Sequence, residues 1–508
     1  MNSKATPIPP PTSLGLCAGA LFLGALSAGA CYVGLDVDDP RRGPRLSAGD
    51  ATDLNDTDTD TNSDTESDSD SSGPDTPEPP PADDDDALEW LDPCRACGCL
   101  TWTAHLPSPS LDILRTALAP ANDDGLLLAV ATADTLYLSR LAPDGALEWT
   151  HEWSGTFHDI HLTATDEGFF ALAVTFSGSL QVGVQPPIQS AGSTDGMLLL
   201  FSEDAPEAAI WQQTFGGSDA QRVTGLVASP GCRGDKNTPC RLILAGSSTG
   251  ALGLDGLSFA YNRPYVAEFD LDGQLLDVLA PPSAELHDPP SLALSPQGAP
   301  LLLTTQRDLN DLGDLALYRW DPKNLVWITT RIIASGEQRA LALAAAPDGS
   351  LRLVGRTLDP IELAGAHLGA YDLETPFITA LVDDQITWAR QLAAWPAGPH
   401  ALAMLQDATT MLTGDLLSSN VDLGGGSLPH LGATDAFLLQ LDGSGAHACS
   451  RAYGDLDHQR GLAVAAHPGG RAFALVRSRG KINPSPGMWQ DRQFDPEDLV
   501  IIALDRFD

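Results

Sequence analysis

TDAFLLQLDGSGAHACSR, residues 434–451, is one copy of a unit that recurs through most of the chain. With Leu441 as its anchor, equivalent residues stand at Leu141, Phe201, Phe269, Trp320, Leu381 and Leu504. Each closes an apolar run: LYLSRL, MLLLF, YVAEF, LALYRW, FITAL and VIIAL. Most anchors are followed by a turn and a second run carrying an aromatic, as at Trp149, Trp211, Trp327 and Trp388. The copies lie about 50 to 70 residues apart, the period of propeller blades and similar arrays.

Between the anchors, short apolar or β-branched runs alternate with Asp-Gly, Asn and Pro turns, without a sustained helical period. A unit divides into an inner strand, a second strand, the anchor strand and a Trp strand. The first two join across HPGG at 467–470 or PDG at 347–349. The last two join across Asp272-Gly273 or Asp442-Gly443, residues that supply positive φ in hairpins. This phasing leaves the ends unequal. Residues 100–106, LTWTAHL, form a Trp strand with no anchor strand before it, and 499–504 form an anchor strand with no Trp strand after it. Joining them completes the count. The expected fold is all-β, a seven-bladed β-propeller of four-stranded antiparallel blades over 91–508, closed by pairing 100–106 with 499–504. Six or eight blades are the alternatives, since SLALS and PLLLTT between Phe269 and Trp320 make a short unit.

The 508 residues are 43% hydrophobic and carry a formal charge of −40, with pI near 4.3. That balance disfavours nucleic acid, whose binders neutralise phosphates with Lys and Arg. It equally disfavours charge-driven docking on anionic membranes. Residues 1–30 read as a lipoprotein signal peptide: Lys4, an apolar run from Leu14 to Leu26, then small residues. Ala28-Gly29-Ala30-Cys31 resembles the lipobox of bacterial lipoproteins, with Ala28 where Leu is commonest. Acylated Cys31 is then the membrane anchor, and a plain signal peptide cut before Cys31 is the alternative. Residues 31–90 read as a disordered acidic tether rich in Asp, Ser, Thr and Pro, with too little apolar surface to offset chain entropy. Its Asp-x-Asp alternation lacks the Gly turn and closing Glu of an EF-hand loop.

The repeats resemble those of bacterial lipoproteins with seven-bladed propellers of the SBBP type, common in myxobacteria. The carrying residues are TDAFLLQLDGSG from Thr434, RAYGDLDHQRGLAVAAHPGG from Arg451, STDGMLLLF from Ser193, QTFGGSDAQR from Gln213 and VDLGGGSLPHLGATDAF from Val421. The resemblance covers Leu100 to Asp508. It implies a fold and an extracytoplasmic location, and little about activity.

Candidate site residues stand where a Trp strand passes into the next inner strand: Gln221 and Arg222, Gln338 and Arg339, and His458, Gln459 and Arg460, with His158, Asp159, His287 and Asp288 in neighbouring units. One reading is a ring of such groups at the channel mouth, contacting an anionic or sugar ligand. The other is that each side chain hydrogen-bonds the backbone of its own loop. No catalytic motif, metal site or cofactor site is recognised: there is no Gly-x-Ser-x-Gly elbow, His-Glu-x-x-His helix or phosphate loop. His105, His400 and His430 read as loop or hydrogen-bonded residues. Among the cysteines, Cys232 and Cys240 flank RGDKNTP between two strands and suit a hairpin-stapling disulfide worth about 2.5 kcal/mol. Cys94, Cys97, Cys99 and Cys449 suit two more bridges of undetermined pairing, with a zinc site at CRACGC as the competing reading. The expected function is an exported lipoprotein, at the outer membrane, the cell surface or in the periplasm. It is anchored in the lipid bilayer through Cys31, and its propeller binds or scaffolds an envelope protein or polysaccharide without catalysis. A propeller hydrolase or lyase acting on extracellular glycans is the alternative.

Overall fold

The first described strand, β1 (Cys99–Pro107), pairs with the last, β30 (Asp498–Asp505), at the opposite end of the chain. Leu100 faces Leu504 and Leu106 faces Leu499, the pairing expected from the unequal ends. Their sheet is completed by β28 (Gln459–Ala466) and β29 (Ala472–Ser478), in the order β1-β30-β29-β28. This is a computed structural model that describes residues 99–505 except 108–112, 114, 166, 184, 230–231, 233–238, 255, 260–261, 283–285, 287, 308–312, 334–335, 371–373, 393–396, 419–420, 468, 480–481 and 483–497. The signal segment, Cys31, the whole of the tether, Cys94, Cys97 and His287 lie outside the described residues.

Every other sheet is sequential and antiparallel. The longest runs β2 (Arg115–Pro120), β3 (Leu126–Ala131), β4 (Thr135–Leu141), β5 (Leu147–Ala164), β6 (Phe169–Gln181), β8 (Asp195–Ser202) and β9 (Trp211–Phe215), with β7 (Ile188–Gln189) beside β6. It holds two sets, because the 18-residue β5 pairs with β4 over its first half and with β6 over its second. Then come β10 (Gln221–Ala228), β11 (Leu242–Ser248), β12 (Arg263–Phe269) and β13 (Leu275–Leu279). The next set is β14 (Ser291–Leu294), β15 (Pro300–Arg307), β16 (Gly313–Asp321) and β17 (Val326–Ile333). After it β18 (Gln338–Ala345), β19 (Leu351–Thr357), β22 (Thr375–Val382) and β23 (Gln385–Gln391) form a sheet, with the hairpin β20 (Ile361–Leu363) and β21 (Ala366–Leu368) inserted. Last before the closing sheet are β24 (Ala397–Met404), β25 (Thr410–Leu416), β26 (Asp435–Leu441) and β27 (His447–Tyr453). SLALS and PLLLTT thus belong to a complete four-stranded sheet.

Second and third strands are buried on both faces, as in LLLAVA of β3 and TMLTGDL of β25, which is why they read as unbroken apolar runs rather than alternations. Fourth strands such as QITWARQ of β23 stay partly exposed. The core is a series of clusters between neighbouring sheets. One joins Phe473, Leu475 and Ile501 of the closing sheet to Leu126, Leu128 and Leu141, and another joins Val354 and Ile378 to Leu412, Phe437 and Leu439. First strands contact one another in sequence: β2 with β5, β5 with β10, β10 with β14, β14 with β18, β18 with β24, β24 with β28, and β28 with β2.

The anchor hairpins explain the tryptophans. Trp102, Trp149, Trp211 and Trp388 each pair with the residue before an anchor: Ala503, Arg140, Leu200 and Ala380. Three of them lie over a glycine of the next sheet's anchor turn. A Cβ on Gly145, Gly273 or Gly445 would stand 2.6 to 2.8 Å from Trp102, Trp211 or Trp388, and all three glycines have φ near +80°. The indole N–H groups donate to Pro143, Leu271 and Gly443 carbonyls in those same turns. The positive φ in the DGSG turn belongs to Gly445, not to Gly443 as the Asp-Gly reading had it, because the type I turn comes first and the bulge glycine closes it. Trp327 is not equivalent to the others. It pairs with the anchor Trp320 itself, and β16–β17 lacks the bulge that four other hairpins carry beside their anchors. One residue of slip turns its side chain to the other face, into the cluster shared with Ile243, Val266 and Tyr318 of the β10–β17 seam.

The Cys232–Cys240 disulfide is present, as the spacing predicts. Cys449, buried on β27, is disulfide-bonded as well.

Candidate functional site

The glutamines that open the first strands are structural. Gln221, Gln338 and Gln459 are fully buried. Gln221 Oε1 accepts from Gly217 N at 3.0 Å, while Gln459 accepts from Asp455 N at 3.1 Å and donates to Asp455 Oδ1 and Arg479 O. Their backbone N–H groups donate to the preceding sheet, Gln221 to Thr194 O at 3.0 Å and Gln459 to Thr434 O at 2.8 Å. The aspartate after each threonine holds its own loop: Asp195 Oδ2 accepts from Ala191 N at 2.6 Å and Asp435 Oδ2 from Leu431 N at 2.9 Å. Burial pushes both carboxyls above the usual range despite those bonds. Glycine follows β9 and β27 because a Cβ on Gly216 or Gly454 would meet these carboxylates at 2.3 or 2.0 Å. The Thr-Asp and Gln positions of the repeat therefore clasp consecutive sheets together.

The arginines beside the glutamines reach across the same seams. Arg222 grips Asp159 with two bonds, Nε to Oδ2 at 3.0 Å and Nη2 to Oδ1 at 2.8 Å. Arg115 donates to His158 O at 2.8 Å and approaches Asp159 at 3.8 Å, so one carboxylate links β2, β5 and β10. His158 and Asp159 lie within β5, not in a loop between strands, because β5 runs unbroken from one set into the next. Burial alone would raise the Asp159 carboxyl, but hydrogen bonding and charge from Arg222, with His161 and Arg115, hold it below the ordinary value. Desolvation lowers both His158 and His161, which keeps the imidazoles neutral beside it. His158 Nε2 lies 2.9 Å from Ser177 Oγ.

A second node gathers residues that sequence reasoning missed or set aside. Arg460 Nε donates to Asp415 Oδ2 at 2.6 Å, and His400 Nε2 lies 2.9 Å from the same oxygen. Asp415 is buried, and its Oδ1 has no hydrogen-bond partner among the described residues. Beside it, Arg356 pairs with Glu374 at 3.2 Å and Arg339 with Glu337 at 3.3 Å. These four side chains, with Thr357 and Leu358, line a shallow cleft. Gly398 connects the two groups, since a Cβ there would lie 3.3 Å from Arg356 Nη2 and 3.7 Å from His400 Cε1. Such a cleft offers paired donors and acceptors to a polar ligand. Asp288 is buried, and His458, exposed, lies 3.2 Å from Thr434 Oγ1. Asp415, Arg356 and Glu374 carry no local motif; the only sequence signal is a charged residue near the end of an otherwise apolar second strand or the start of a third.

No protein-family model matches the chain, and no curated protein matches it. Among solved structures it is similar to a puromycin hydrolase mutant, at 15% identity and TM-score 0.43, covering 74% of this chain and 53% of that one. The chain thus spans about half the length of that structure. It is also similar to a protein from Lactobacillus plantarum, at 14% identity and TM-score 0.37, covering 67% of this chain and 88% of that one. A gluconolactonase from Xanthomonas campestris matches at 13% identity and TM-score 0.31, covering 65% of this chain and 90% of that one. At these scores none of the three carries an activity or a substrate to this chain.

Proposed function

We propose that the chain is an exported lipoprotein whose seven strand sets close into a β-propeller that binds an envelope protein or polysaccharide without catalysis. Closure is supported by the β1–β30 pairing and by first strands that contact one another in a complete cycle. The observation that carries the binding reading is the use made of the charged groups where the first strands begin. Arg222 is spent on Asp159 and Arg460 on Asp415, while Arg339 and Arg356 are paired with Glu337 and Glu374 in a cleft too shallow to enclose a substrate. Cys31 supplies the anchor through acylation, and the acidic tether holds the propeller off the bilayer.

The glycan hydrolase or lyase reading has one observation in its favour: Glu337 and Glu374 line the same cleft. Each is ion-paired to an arginine, and the two line a cleft too shallow to enclose a glycan. The test is retention of the whole mature protein on immobilised envelope polysaccharide and on solubilised envelope proteins, beside an Arg339→Ala, Arg356→Ala variant. Retention weakened in the variant, with no new reducing ends released from glycans, is the expected result. Glycan cleavage abolished by Glu337→Gln or Glu374→Gln overturns the noncatalytic reading, and an acyl-free Cys31 in the mature protein overturns the anchor.

A further inference from the structure

Two sets of this chain build the same clasp and finish it differently. In the set ending at β9, Ala191 N donates to Asp195, Ser193 N to Asp219 O, and Gln221 N to Thr194 O. In the set ending at β27, Leu431 N donates to Asp435, Ala433 N to Asp457 O, and Gln459 N to Thr434 O. The glycines coincide too. A Cβ on Gly192 would stand 2.2 Å from Asp219 O and 2.3 Å from Gly217 O, and one on Gly432 would stand 2.4 Å from Asp457 O and 2.3 Å from Asp455 O. By that correspondence Leu431 stands where the other set has Ala191, and Leu456 where it has Ser218. The clasp needs neither leucine, yet Leu431 is 61% and Leu456 82% exposed, on two loops in direct contact.

We propose that Leu431 and Leu456 form the apolar centre of a docking surface for a protein segment that presents an apolar side chain flanked by Lys or Arg. The inference rests on the binding-module reading and names its partner class. Charge complementarity selects the occupant: Leu456 stands between Asp455 and Asp457, on a chain of net charge −40, so an acidic partner or an anionic bilayer is repelled. Branched aliphatic side chains offer no flat ring face for a sugar, whereas an apolar centre within a polar rim is the anatomy of a protein interface. The backbone beneath them is fixed by the clasp, so the leucines are presented without a backbone ordering cost.

The sister set supplies the control, since Leu431→Ala with Leu456→Ser installs residues that the same backbone already carries. Phage-displayed random dodecapeptides are selected on the whole mature protein and counter-selected on that double variant. The expected result is enrichment of peptides with an apolar residue beside Lys or Arg, binding the variant at least about tenfold more weakly and losing affinity with added salt. Absence of peptides that discriminate the two proteins, or enrichment of acidic ones, overturns the proposal. So does leucine-dependent self-association in sedimentation, which makes the occupant a second copy, or leucine-dependent partition onto phosphatidylcholine vesicles. Retention on envelope fractions that persists in the variant while peptide selection fails removes this docking surface and leaves the binding-module reading standing.

Discussion

Two seams of this molecule do the same job by different physics. Between the β18–β23 sheet and the β24–β27 sheet, Trp388 lies over Gly445, donates to Gly443 O, and carries the buried Arg352 guanidinium 5.1 Å from its ring. Between the β14–β17 sheet and the β18–β23 sheet, the corresponding position is Ile328, 43% exposed, because Trp327 has slipped to the opposite face. The turn it meets is a two-residue hairpin whose Asp383 and Asp384 both have positive φ, and Arg319 reaches across to Asp384. Where an indole seats on a bare glycine, apolar burial and a directed hydrogen bond join the sheets. Where Trp327 has slipped away from that position, a partly exposed ion pair stands in its place. A third solution marks the seam before the closing sheet, where the position is taken by the disulfide-bonded Cys449, opposite Gln440.

The comparison is tested most severely at Trp102, whose indole ties the strand that brings the chain's two ends together to the turn at Gly145. It is 9% exposed and lies 5.9 Å from the ring of Phe473. Trp102→Ala is expected to cost about 3–5 kcal/mol in urea unfolding. It should also raise amide exchange in β1 and β30 ahead of the other sheets. Uniform exchange, or a loss near 1 kcal/mol, would mean that strand pairing alone seals the ends.

Next in size is the inner end of a seam, where one partly buried carboxylate holds two arginines. Asp159→Asn leaves Arg222 and Arg115 without their carboxylate, at a cost of about 2–3 kcal/mol, below the range for a fully buried pair because Arg222 is partly exposed. The sign with pH follows from the lowered folded value. The stabilisation is complete above the unfolded carboxyl value near 3.9, and is lost as pH falls through the folded one. Urea midpoints of wild type and variant should therefore differ fully at about pH 6 and converge as pH falls below the lowered folded value. A gap that stays constant into acid would assign the effect to packing.

How much of this was legible in the sequence depended on whether a feature was local. The anchor runs, the turn residues and the unpaired ends at 100–106 and 499–504 announced the strands and the β1–β30 pairing, since apolar runs and turn chemistry are written along the chain. The facing of Trp327 was not legible. A bulge is set by how the turn at 321–326 exits into the strand, and the same aromatic-after-turn pattern arises with or without it. The continuity of β5 was hidden likewise, so His158 and Asp159 fell in an expected loop. At the candidate site, Arg222, Arg339 and Arg460 stood out because they repeat. Their partners Asp159, Glu337 and Asp415 share no spacing with them, because two of the three pairs are made across a seam.

The smallest expected effect sharpens the comparison most, because it asks whether the seam without an indole is held by charge at all. Arg319 and Asp384 are 34% and 25% exposed, so solvent screens their attraction, and the pair is worth at most about 1 kcal/mol at low salt. Arg319→Ala should lower the urea midpoint by that small amount at about 10 mM salt and by nothing measurable at about 1 M, where the screening length falls to about 3 Å. Trp102→Ala, by contrast, should cost the same at both. A salt-independent loss at Arg319 would show that its aliphatic stem, packed over the hairpin, does there what the indole does elsewhere. The two seams would then share one apolar mechanism, with the ion pair only fixing the direction of the side chain.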